Sequence, residues 1–370
     1  MRILHTADWH IGKGLAGFDL LDVQRRSFEK LRQVAKDKKV DAMIIAGDVY
    51  DRALANAATV RVVNGMFKTL NLDDKLPLLV ISGNHDSPAR LATGREWFKD
   101  TGLHLNTEVG ESLTPVVIGD TQFFLLPYFD PIDAQHAFDD DSLTTIEAAM
   151  RVVVAKMQER FDPDKHHVLV AHFFAAGSTH SGSETKVNVG GLDAVPLDLL
   201  DPFDYVALGH LHNRGAVHAE KVQYAGSLLK YDVSEVNQQK GCYILDTDTM
   251  TREFVPIVQE PEFVHITDSF ANITAGSEPL TDAANYVQFT LTDTAVIPDL
   301  MNRLRKVYPH TVGVDRATHV NIEESVHEFD EQLDPMKLLN QFYGDTIGRD
   351  MDADEQAWAQ KTLTAVVKED

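Results

Sequence analysis

Five short clusters of polar side chains lie between Asp8 and His212. They combine acids, histidines and one asparagine: Asp8-Trp9-His10, Gly47-Asp48 followed by Asp51-Arg52, Gly83-Asn84-His85-Asp86, His172, and Gly209-His210-Leu211-His212. Carboxylate, imidazole and amide groups without a thiolate are typical ligands of divalent ions such as Mn, Fe or Zn. The single cysteine, Cys242, excludes a thiolate cage. We therefore expect a metal site built from oxygen and nitrogen donors.

The spacing inside the clusters suits shared ligation. Alternate residues of an extended segment point to the same side, so Asp8 and His10 can reach one ion. The same holds for His210 and His212. Three glycines allow tight turns and a close approach of the backbone: Gly47, Gly83 and Gly209. One carboxylate can bridge two ions, and two ions about 3.5–4 Å apart clamp a phosphoryl oxygen and activate a shared water. Each cluster alone also fits a surface pair or turn, but all five together favour dinuclear phosphoester chemistry.

Each polar cluster follows an apolar segment that predicts a β-strand. The predicted strands are Arg2–His5, Ala42–Ile45, Leu78–Ile81, Phe123–Leu126, Val168–Ala171, Tyr205–Ala207 and Cys242–Leu245. Amphipathic helices are predicted over Val23–Ala35 and from an N-cap at Asn56. Such alternation favours a layered α/β architecture. Because strand ends converge on one edge in these folds, we expect the clusters to meet there.

The composition is that of an ordinary globular protein. The chain has 370 residues, of which 44% are apolar and 25% charged, so it can bury a large core. It has no apolar run near the ~18–20 residues of a spanning helix and no signal-peptide pattern, so we expect a cytoplasmic protein without membrane contact. A formal charge of −23 argues against a self-sufficient nucleic-acid binder. Bound cations, however, can invert the local field.

The last third of the chain differs from the part before it. Pro256 and Pro261 mark a linker. The elements predicted after it are a strand at Tyr286–Leu291, a helix at Asp299–Val307, a strand at His319–Ile322, an acidic stretch at Glu323–Asp334, a helix from Asp334-Pro335 to Gly344, and a helix at Ala353–Val367 with Trp358, Leu363 and Val366 on its apolar side. The last two helices either pack on their own domain or dock on another chain.

The clusters, in this order, resemble the calcineurin-like metallophosphoesterase superfamily. The segments HTADWHIGKGL, AGDVYDR, ISGNHDSPARL, HFFAAGSTHSGSE, ALGHLH and YAGSLLKYDVSEVNQQKG closely resemble the SbcD family of bacterial nuclease subunits. The resemblance is dense to about residue 255 and weaker to 370. It implies a layered β-sandwich metallophosphoesterase fold flanked by helices. It also implies three parts: a nuclease domain at 1–255, a small α/β cap domain at 262–323, and a C-terminal helical segment at 330–370.

The resemblance also implies residue roles. One metal ion would be held by Asp8, His10, Asp48 and His212, and a second by Asp48 as a bridge together with Asn84, His172 and His210. His85 would assist the phosphate transition state or protonate the leaving oxygen, with Asp51 orienting it. The usual metal of the family is manganese.

The implied activity is a DNA nuclease of repair, recombination and replication. Members of this family act as Mn-dependent 3′→5′ exonucleases on double strands and as endonucleases on single strands and hairpins. They form dimers and work with an SMC-like ATPase, SbcC, which binds the C-terminal segment. Three cations near the site are candidates for DNA contact and equally fit ordinary surface charges: Lys13, Arg52 and Arg90.

Two other classes of function stay open on the residues alone. Dinuclear phosphomonoesterases and cyclic-nucleotide phosphodiesterases share the same ligand types. A non-catalytic scaffold that binds a partner through its C-terminal helices is the second. The long C-terminal extension and the Tyr224–Gly241 segment argue against the first class, and the complete ligand set argues against the second.

Overall fold

The computed structural model describes residues 1–179, 194–275, 279–317 and 349–366, together with Met336, Leu339, Asn340 and Tyr343. The chain divides into two compact units, Met1–Ala317 and Thr318–Asp370. The division falls inside the segment 262–323, and the three-part organisation stays a prediction.

The first unit contains every strand among the described residues. In chain order these are β1 (Arg2–Thr6), β2 (Gly14–Leu15), β3 (Phe18–Asp19), β4 (Ala42–Ala46), β5 (Leu78–Ile81), β6 (Leu103–Asn106), β7 (Val116–Ile118), β8 (Thr121–Leu126), β9 (His166–His172), β10 (Tyr205–Gly209), β11 (Val222–Tyr224), β12 (Gly241–Asp246), β13 (Thr251–Pro256), β14 (Phe263–Asp268), β15 (Tyr286–Leu291) and β16 (Thr311–Arg316).

The described helices lie mostly between strands. They are α1 (Leu21–Asp37), α2 (Ala57–Lys68), α3 (Pro88–Leu91), α4 (Arg95–Phe98), α5 (Pro131–Phe138), α6 (Ile146–Gln158), α7 (Phe270–Ala275), α8 (Leu300–Val307) and α9 (Ala353–Val366). A short π-helix occurs at Thr69–Asp73. Short 3₁₀ helices occur at Lys99–Thr101, Gly110–Leu113, Leu197–Leu200 and Val233–Glu235. Within the described part of the chain, no helix has the length and apolarity that a membrane crossing requires.

Two sheets form the body of the first unit. One has the strand order β13-β12-β1-β4-β5-β6, and the other has the order β11-β10-β9-β8-β7. The strands β1, β4, β5 and β6 run parallel, as do β8, β9, β10 and β11. In register, Ile3 lies opposite Ala42 in the first sheet, and Leu126 lies opposite Ala171 in the second. The two sets of parallel strands provide two rows of strand ends.

The sheets pack face to face with helices outside them. Ile44, Leu79 and Val170 belong to the fully buried layer between the sheets. Residues of α1 and α2 pack on the outer face of the first sheet, and residues of α6 pack on that of the second. Strands covered on both faces are mostly apolar, and every residue of β4, β5, β8 and β10 is buried, including the polar Thr121 and Gln122 at the start of β8. This confirms the layered sandwich flanked by helices.

The predicted elements of this unit are found with small extensions. All seven predicted strands are present, and Leu78–Ile81 has the predicted bounds. The helix predicted over Val23–Ala35 is α1, longer by two residues at each end. Asn56 caps α2, since its side chain accepts hydrogen bonds from the main-chain N–H groups of Ala58 and Thr59 at 2.9 Å.

A third sheet, β14-β15-β16, is parallel throughout and packs against α7 and α8. Its strand β15 has the predicted bounds, and α8 begins one residue after the predicted start. The strand Thr311–Arg316 was not predicted, and the predicted strand His319–Ile322 lies outside the described residues. Phe263 and Tyr286 of this sheet join Leu229 and Tyr231 in one apolar cluster.

In the second unit, α9 occupies Ala353–Val366, close to the predicted helix Ala353–Val367. The side chain of Trp358, predicted on the apolar side of this helix, is 72% exposed. Met336, Leu339, Asn340 and Tyr343 are helical, as predicted for the helix after Asp334-Pro335. The acidic stretch Glu323–Asp334 lies outside the described residues, as do the side chains of Leu363 and Val366.

Candidate metal centre

The five polar clusters meet at one edge of the sandwich. Asp8 and His10 follow β1, Asp48 follows β4, and Asn84 and His85 follow β5. From the second sheet, His172 ends β9, while His210 and His212 follow β10. The centre therefore receives side chains from both sheets, at the carboxyl ends of their parallel strands. The predicted convergence of the clusters is thus present.

One group of donors surrounds the Nε2 atom of His10. This atom lies 3.0 Å from Nε2 of His212 and 3.4 Å from Oδ2 of Asp48. Asp8 completes the group, and its Oδ1 accepts a hydrogen bond from the main-chain N–H of His210 at 2.9 Å. Asp8, His10 and His212 each offer a ligand atom, and these atoms lie within 4.8 Å of one another.

A second group surrounds the amide oxygen of Asn84. Its Oδ1 lies 3.0 Å from Nε2 of His172 and 3.1 Å from Nδ1 of His210. Nε2 of His172 is also 3.4 Å from Oδ2 of Asp48. The same carboxylate oxygen thus lies 3.4 Å from an imidazole of each group. Asp48 therefore stands between the two groups, in the place of a shared ligand.

The donor side chains are buried, and hydrogen bonds within the protein do not satisfy all of their polar atoms. Asp8, His10, Asp48, His172 and His212 are each at most 2% exposed. Within the described residues, Oδ2 of Asp8 and Nδ1 of His10 are buried without a hydrogen-bond partner. A buried polar atom without a partner costs about 1–3 kcal/mol, so such atoms call for a missing ligand. Bound cations would satisfy Oδ2 of Asp8 directly.

The backbone is bent to bring these groups together. Asp8, His10, Asp48 and His210 all have φ between 43° and 99°, a region that non-glycine residues avoid. Each such residue costs about 1–3 kcal/mol and persists only where the surroundings enforce it. A Cβ atom on Gly83 would lie 2.1 Å from Oδ1 of Asp48, so only glycine fits there.

Burial and neighbouring charges shift the pKa values of several groups in the centre. Burial raises the pKa of Asp8 to about 6. Burial opposes the ionisation of Asp48 too, but His172 and His10 outweigh it and hold the pKa of this carboxyl well below its usual range. Burial disfavours the charge of His172, yet Asp48 raises the pKa of this histidine to about 9. Burial, followed by repulsion from His172, lowers the pKa of His210 to about 3, which keeps it an uncharged donor.

His85 lies beside both groups. Its main-chain N–H donates to Oδ1 of Asp48 at 2.9 Å, and its ring meets that of His10 edge-on at 4.7 Å. Nδ1 of His85 is 2.8 Å from the main-chain oxygen of Asp51, not from the carboxylate. That carboxylate instead lies 3.6 Å from Nζ of Lys13. Asp51 thus contacts the ring of His85 through its backbone, which differs from the expected acid–imidazole pair.

The three candidate DNA contacts lie at different depths. Lys13 is 17% exposed and pairs with Asp51, whose carboxylate also lies 3.4 Å from Nε of Arg52. Arg52 is 84% exposed. Arg90 lies on α3 and lines a neighbouring groove with Tyr50. The structure therefore brings Lys13 and Arg52 to the edge of the centre, and places Arg90 in the adjoining groove.

Several residues that support the centre were missed from sequence. The carboxylate of Asp86 accepts main-chain N–H bonds from Val49, Tyr50 and Gly83 at 2.9–3.1 Å, which ties the loop after β4 to the loop after β5. Its place in the Gly83–Asp86 motif was the available signal. Gln24, on α1, donates to the main-chain oxygen of His10 at 2.8 Å, and nothing in its sequence context marks it.

Two family models match this chain. Residues 1–214 match the family of calcineurin-like phosphoesterases, and residues 261–346 match a domain described as "Type 5 capsule protein repressor C-terminal domain". A dimetal phosphatase from Danio rerio is similar over 70% of this chain and 97% of its own, at 10% identity and a TM-score of 0.47.

Full-length relatives are more similar. The SbcD subunit of the SbcCD nuclease from Staphylococcus saprophyticus is 30% identical over 100% of this chain and 99% of its own length. Its namesake from Staphylococcus epidermidis is 31% identical over 93% of this chain and 92% of its own. The chain is therefore a metal-dependent hydrolase with a dinuclear metal site, and it belongs to the calcineurin-like phosphoesterases and, within them, to the SbcD family of nuclease subunits.

Proposed function

We propose that this chain is the Mn-dependent nuclease subunit of an ATPase–nuclease complex that cleaves DNA ends and hairpins. The observation that carries the proposal is the position of Asp48, whose Oδ2 lies 3.4 Å from an imidazole of each donor group. This arrangement suits two neighbouring ions that share one carboxylate. Two such ions are the usual means of hydrolysing a phosphodiester.

The proposed ligands follow the two groups. Asp8, His10, Asp48 and His212 would hold one ion, and Asp48, Asn84, His172 and His210 would hold the other. When bound, the ions polarise the scissile phosphate and lower the pKa of an attacking water. Manganese fits a set of carboxylate, amide and imidazole donors without sulfur.

His85 is the proposed catalytic residue. Its Nδ1–H donates to the main-chain oxygen of Asp51 at 2.8 Å, which fixes the tautomer and leaves Nε2 as the basic nitrogen. The main-chain N–H of His85 donates to Oδ1 of Asp48, which holds the backbone of this residue in place. A histidine held in this way can take up a proton from solvent at Nε2 and, as the imidazolium, donate it to the phosphate or to the leaving oxygen as charge develops there.

The proposed substrate is DNA, cut 3′→5′ from double-strand ends and internally in single strands and hairpins. A net charge of −23 is compatible with this substrate, because bound cations would reverse the local field at the centre. Lys13, Arg52 and Arg90 are the proposed contacts to the phosphate backbone. Phosphate contacts position the strand without reading its sequence.

The proposed partner is an SbcC-type SMC-like ATPase in the cytoplasm. The names of the two full-length relatives describe each as one subunit of an SbcCD nuclease, and residues 261–346 match a domain that follows the phosphoesterase. The 72% exposure of Trp358 on α9 supports docking through residues 330–370, since exposed aromatic side chains are enriched at interfaces. The partner would supply further DNA-binding surface.

A second copy of the chain is the other proposed partner. A groove of about 650 Å³ between α2 and the α3–α4 region is lined mostly by apolar side chains. Trp97, Leu72 and Phe98 along it are 81%, 52% and 41% exposed. An exposed apolar surface of this kind is typical of an association site. Replacing Trp97 with Glu is expected to convert the dimer to a monomer, as measured by sedimentation.

The decisive experiment compares three substrates with and without Mn²⁺: a DNA hairpin, a nitrophenyl phosphate and a cyclic nucleotide. Cleavage of the hairpin, with little turnover of the other two, is the expected result. Preferred turnover of either small substrate would instead identify a different phosphoesterase. A protein that binds no Mn²⁺ and cleaves nothing would be a scaffold.

A further inference from the structure

A buried acid lies directly behind His212. Glu235, at the end of the turn Val233–Glu235, has no exposed surface, and its Oε1 lies 2.9 Å from Nδ1 of His212. Nε2 on the other side of the same ring faces His10 at 3.0 Å. The imidazole is therefore held between an acid at one nitrogen and the candidate metal ligands at the other.

The acid is itself fixed by a buried network. Oε2 of Glu235 lies 2.8 Å from Nζ of Lys240, which is 6% exposed. The same oxygen accepts a hydrogen bond from the main-chain N–H of Tyr231 at 3.2 Å. Lys240 also donates to the main-chain oxygen of His212 at 3.0 Å. One lysine thus neutralises the acid and holds the backbone of the histidine that the acid contacts. A buried charge that is paired in this way can keep a defined orientation.

One of the two histidines in the other donor group, His172, has a different support. Nδ1 of His172 is 2.8 Å from the main-chain oxygen of Ala46. No side chain can be replaced to remove that acceptor. The two groups therefore differ in a way that mutation can exploit, since of these two histidines only His212 is supported by an ionisable residue.

We propose that Glu235 is a positioning residue that sets the metal affinity of one ion site through His212. This inference rests on the proposed function, because it assumes that His212 is a metal ligand. The carboxylate accepts the Nδ1–H of the ring, so Nε2 is left unprotonated and turned to the ion. Carboxylate support of this type typically accounts for about a 10–100-fold difference in metal affinity or activity.

The test is the Glu235→Gln variant, titrated with Mn²⁺ by calorimetry and by the EPR signal of bound manganese. Of the two sites in the unchanged protein, one is expected to weaken about 10–100-fold and the other to keep its affinity. Cleavage of a DNA hairpin should fall at low Mn²⁺ and recover at high Mn²⁺. Glu235→Asp, which keeps the charge, should restore part of the affinity. Glu253→Gln is the matched control, because Glu253 is 61% exposed and pairs only with Lys38 among the described ion pairs.

Each outcome bears on the proposal. Equal Mn²⁺ affinities in Glu235→Gln and the unchanged protein overturn it, even if activity falls. If Glu235→Gln does not fold, Glu235→Asp decides in the same titration, and failure of both to fold assigns the acid to stability instead. An unchanged protein that binds no Mn²⁺ contradicts the proposed function itself. Two bound ions in the unchanged protein with no change in the variant contradict only this inference.

Discussion

Aspartates follow parallel strands both in the sandwich and in the three-stranded sheet. In the small sheet, Oδ1 of Asp268 accepts the main-chain N–H of Ser269 at 2.6 Å and the side-chain amide of Asn272 at 2.8 Å. Asp293 accepts the main-chain N–H of Phe270 at 2.6 Å. These bonds fasten the start of α7, so the acids serve the local backbone.

The acids of the sandwich are used differently. Asp8 receives one main-chain bond on Oδ1, and its Oδ2 has no hydrogen-bond partner among the described residues. Oδ2 of Asp48 faces imidazoles from two sheets. The comparison shows that an acid at a strand end is not sufficient for a metal site. What matters is whether the local backbone already satisfies its oxygens, and whether a second sheet brings further donors.

The largest expected effect tests this difference directly. Asp48→Asn removes the shared negative charge, so hairpin cleavage is expected to fall by about 10³-fold or more, which corresponds to about 4 kcal/mol of transition-state stabilisation. The number of bound Mn²⁺ ions should fall as well. Asp268→Asn is the matched control, since asparagine can still accept the bonds that fasten α7. Full activity in Asp48→Asn would contradict a shared-ligand site.

The next effect separates catalysis from ligation. His85→Gln is expected to slow hairpin cleavage by about 10²–10⁴-fold, the usual contribution of a positioned proton donor. Mn²⁺ binding should be unchanged, because Nδ1 of the His85 ring is bonded to the main-chain oxygen of Asp51 and the ring belongs to neither proposed ligand set. Calorimetric titration beside a single-turnover assay makes the measurement. A lower metal count would make His85 a ligand and would remove its proposed catalytic role.

A core substitution in the three-stranded sheet should lower stability and leave metal binding unchanged. Phe289 is fully buried and packs on Tyr308 with 5.5 Å between ring centroids. Phe289→Ala is expected to lower the free energy of unfolding by about 3–5 kcal/mol, as large-to-small core changes do. Urea unfolding measures this loss, and Mn²⁺ affinity at low urea is the control. A selective loss of Mn²⁺ binding in the folded variant would show that the small sheet takes part in the site.

The smallest expected effect is on the pH dependence of stability at an ion pair outside the metal centre and the three-stranded sheet. Hydrogen bonds from Arg32 at 2.5 and 2.9 Å lower the pKa of Asp74 to about 2. The pair stabilises the fold above the unfolded pKa of about 4, and that stabilisation disappears as the pH falls toward about 2. Asp74→Asn should therefore cost at most about 1 kcal/mol at neutral pH and nothing once the pH is well below 2. Thermal melts across this range measure the difference, and a constant cost at every pH would contradict an ionic origin.

Much of the sandwich could be predicted because its signals are local. Short apolar runs followed at once by Gly, Asp or His mark both the strands and the ends where donors collect, as at Gly47-Asp48. The strand Thr311–Arg316 was missed, since its Gly313 and Asp315 disfavour a strand in isolation. Parallel pairing with β15 overrides that preference.

The residues that support the centre could not be predicted, because their contacts are not local in sequence. Glu235 is separated from His212 by 23 residues, and Gln24 is separated from His10 by 14. Neither spacing belongs to a helix or strand period, so only the folded chain brings the partners together. The same holds for the bond between Asp51 and His85, where the type of residue suggested a carboxylate and the structure uses a carbonyl.

Gly209 allows strands of the two sheets to approach each other closely beside the centre. A Cβ atom there would lie 2.0 Å from the main-chain oxygen of Ala46, the atom that also receives His172. The two layers thus touch backbone to backbone where their donors meet. Because protein interiors transmit small displacements, a change in the apolar filling between the sheets would shift the donors of one sheet relative to those of the other. Buried side chains between the sheets, such as Ile44, therefore help to position the two groups of donors.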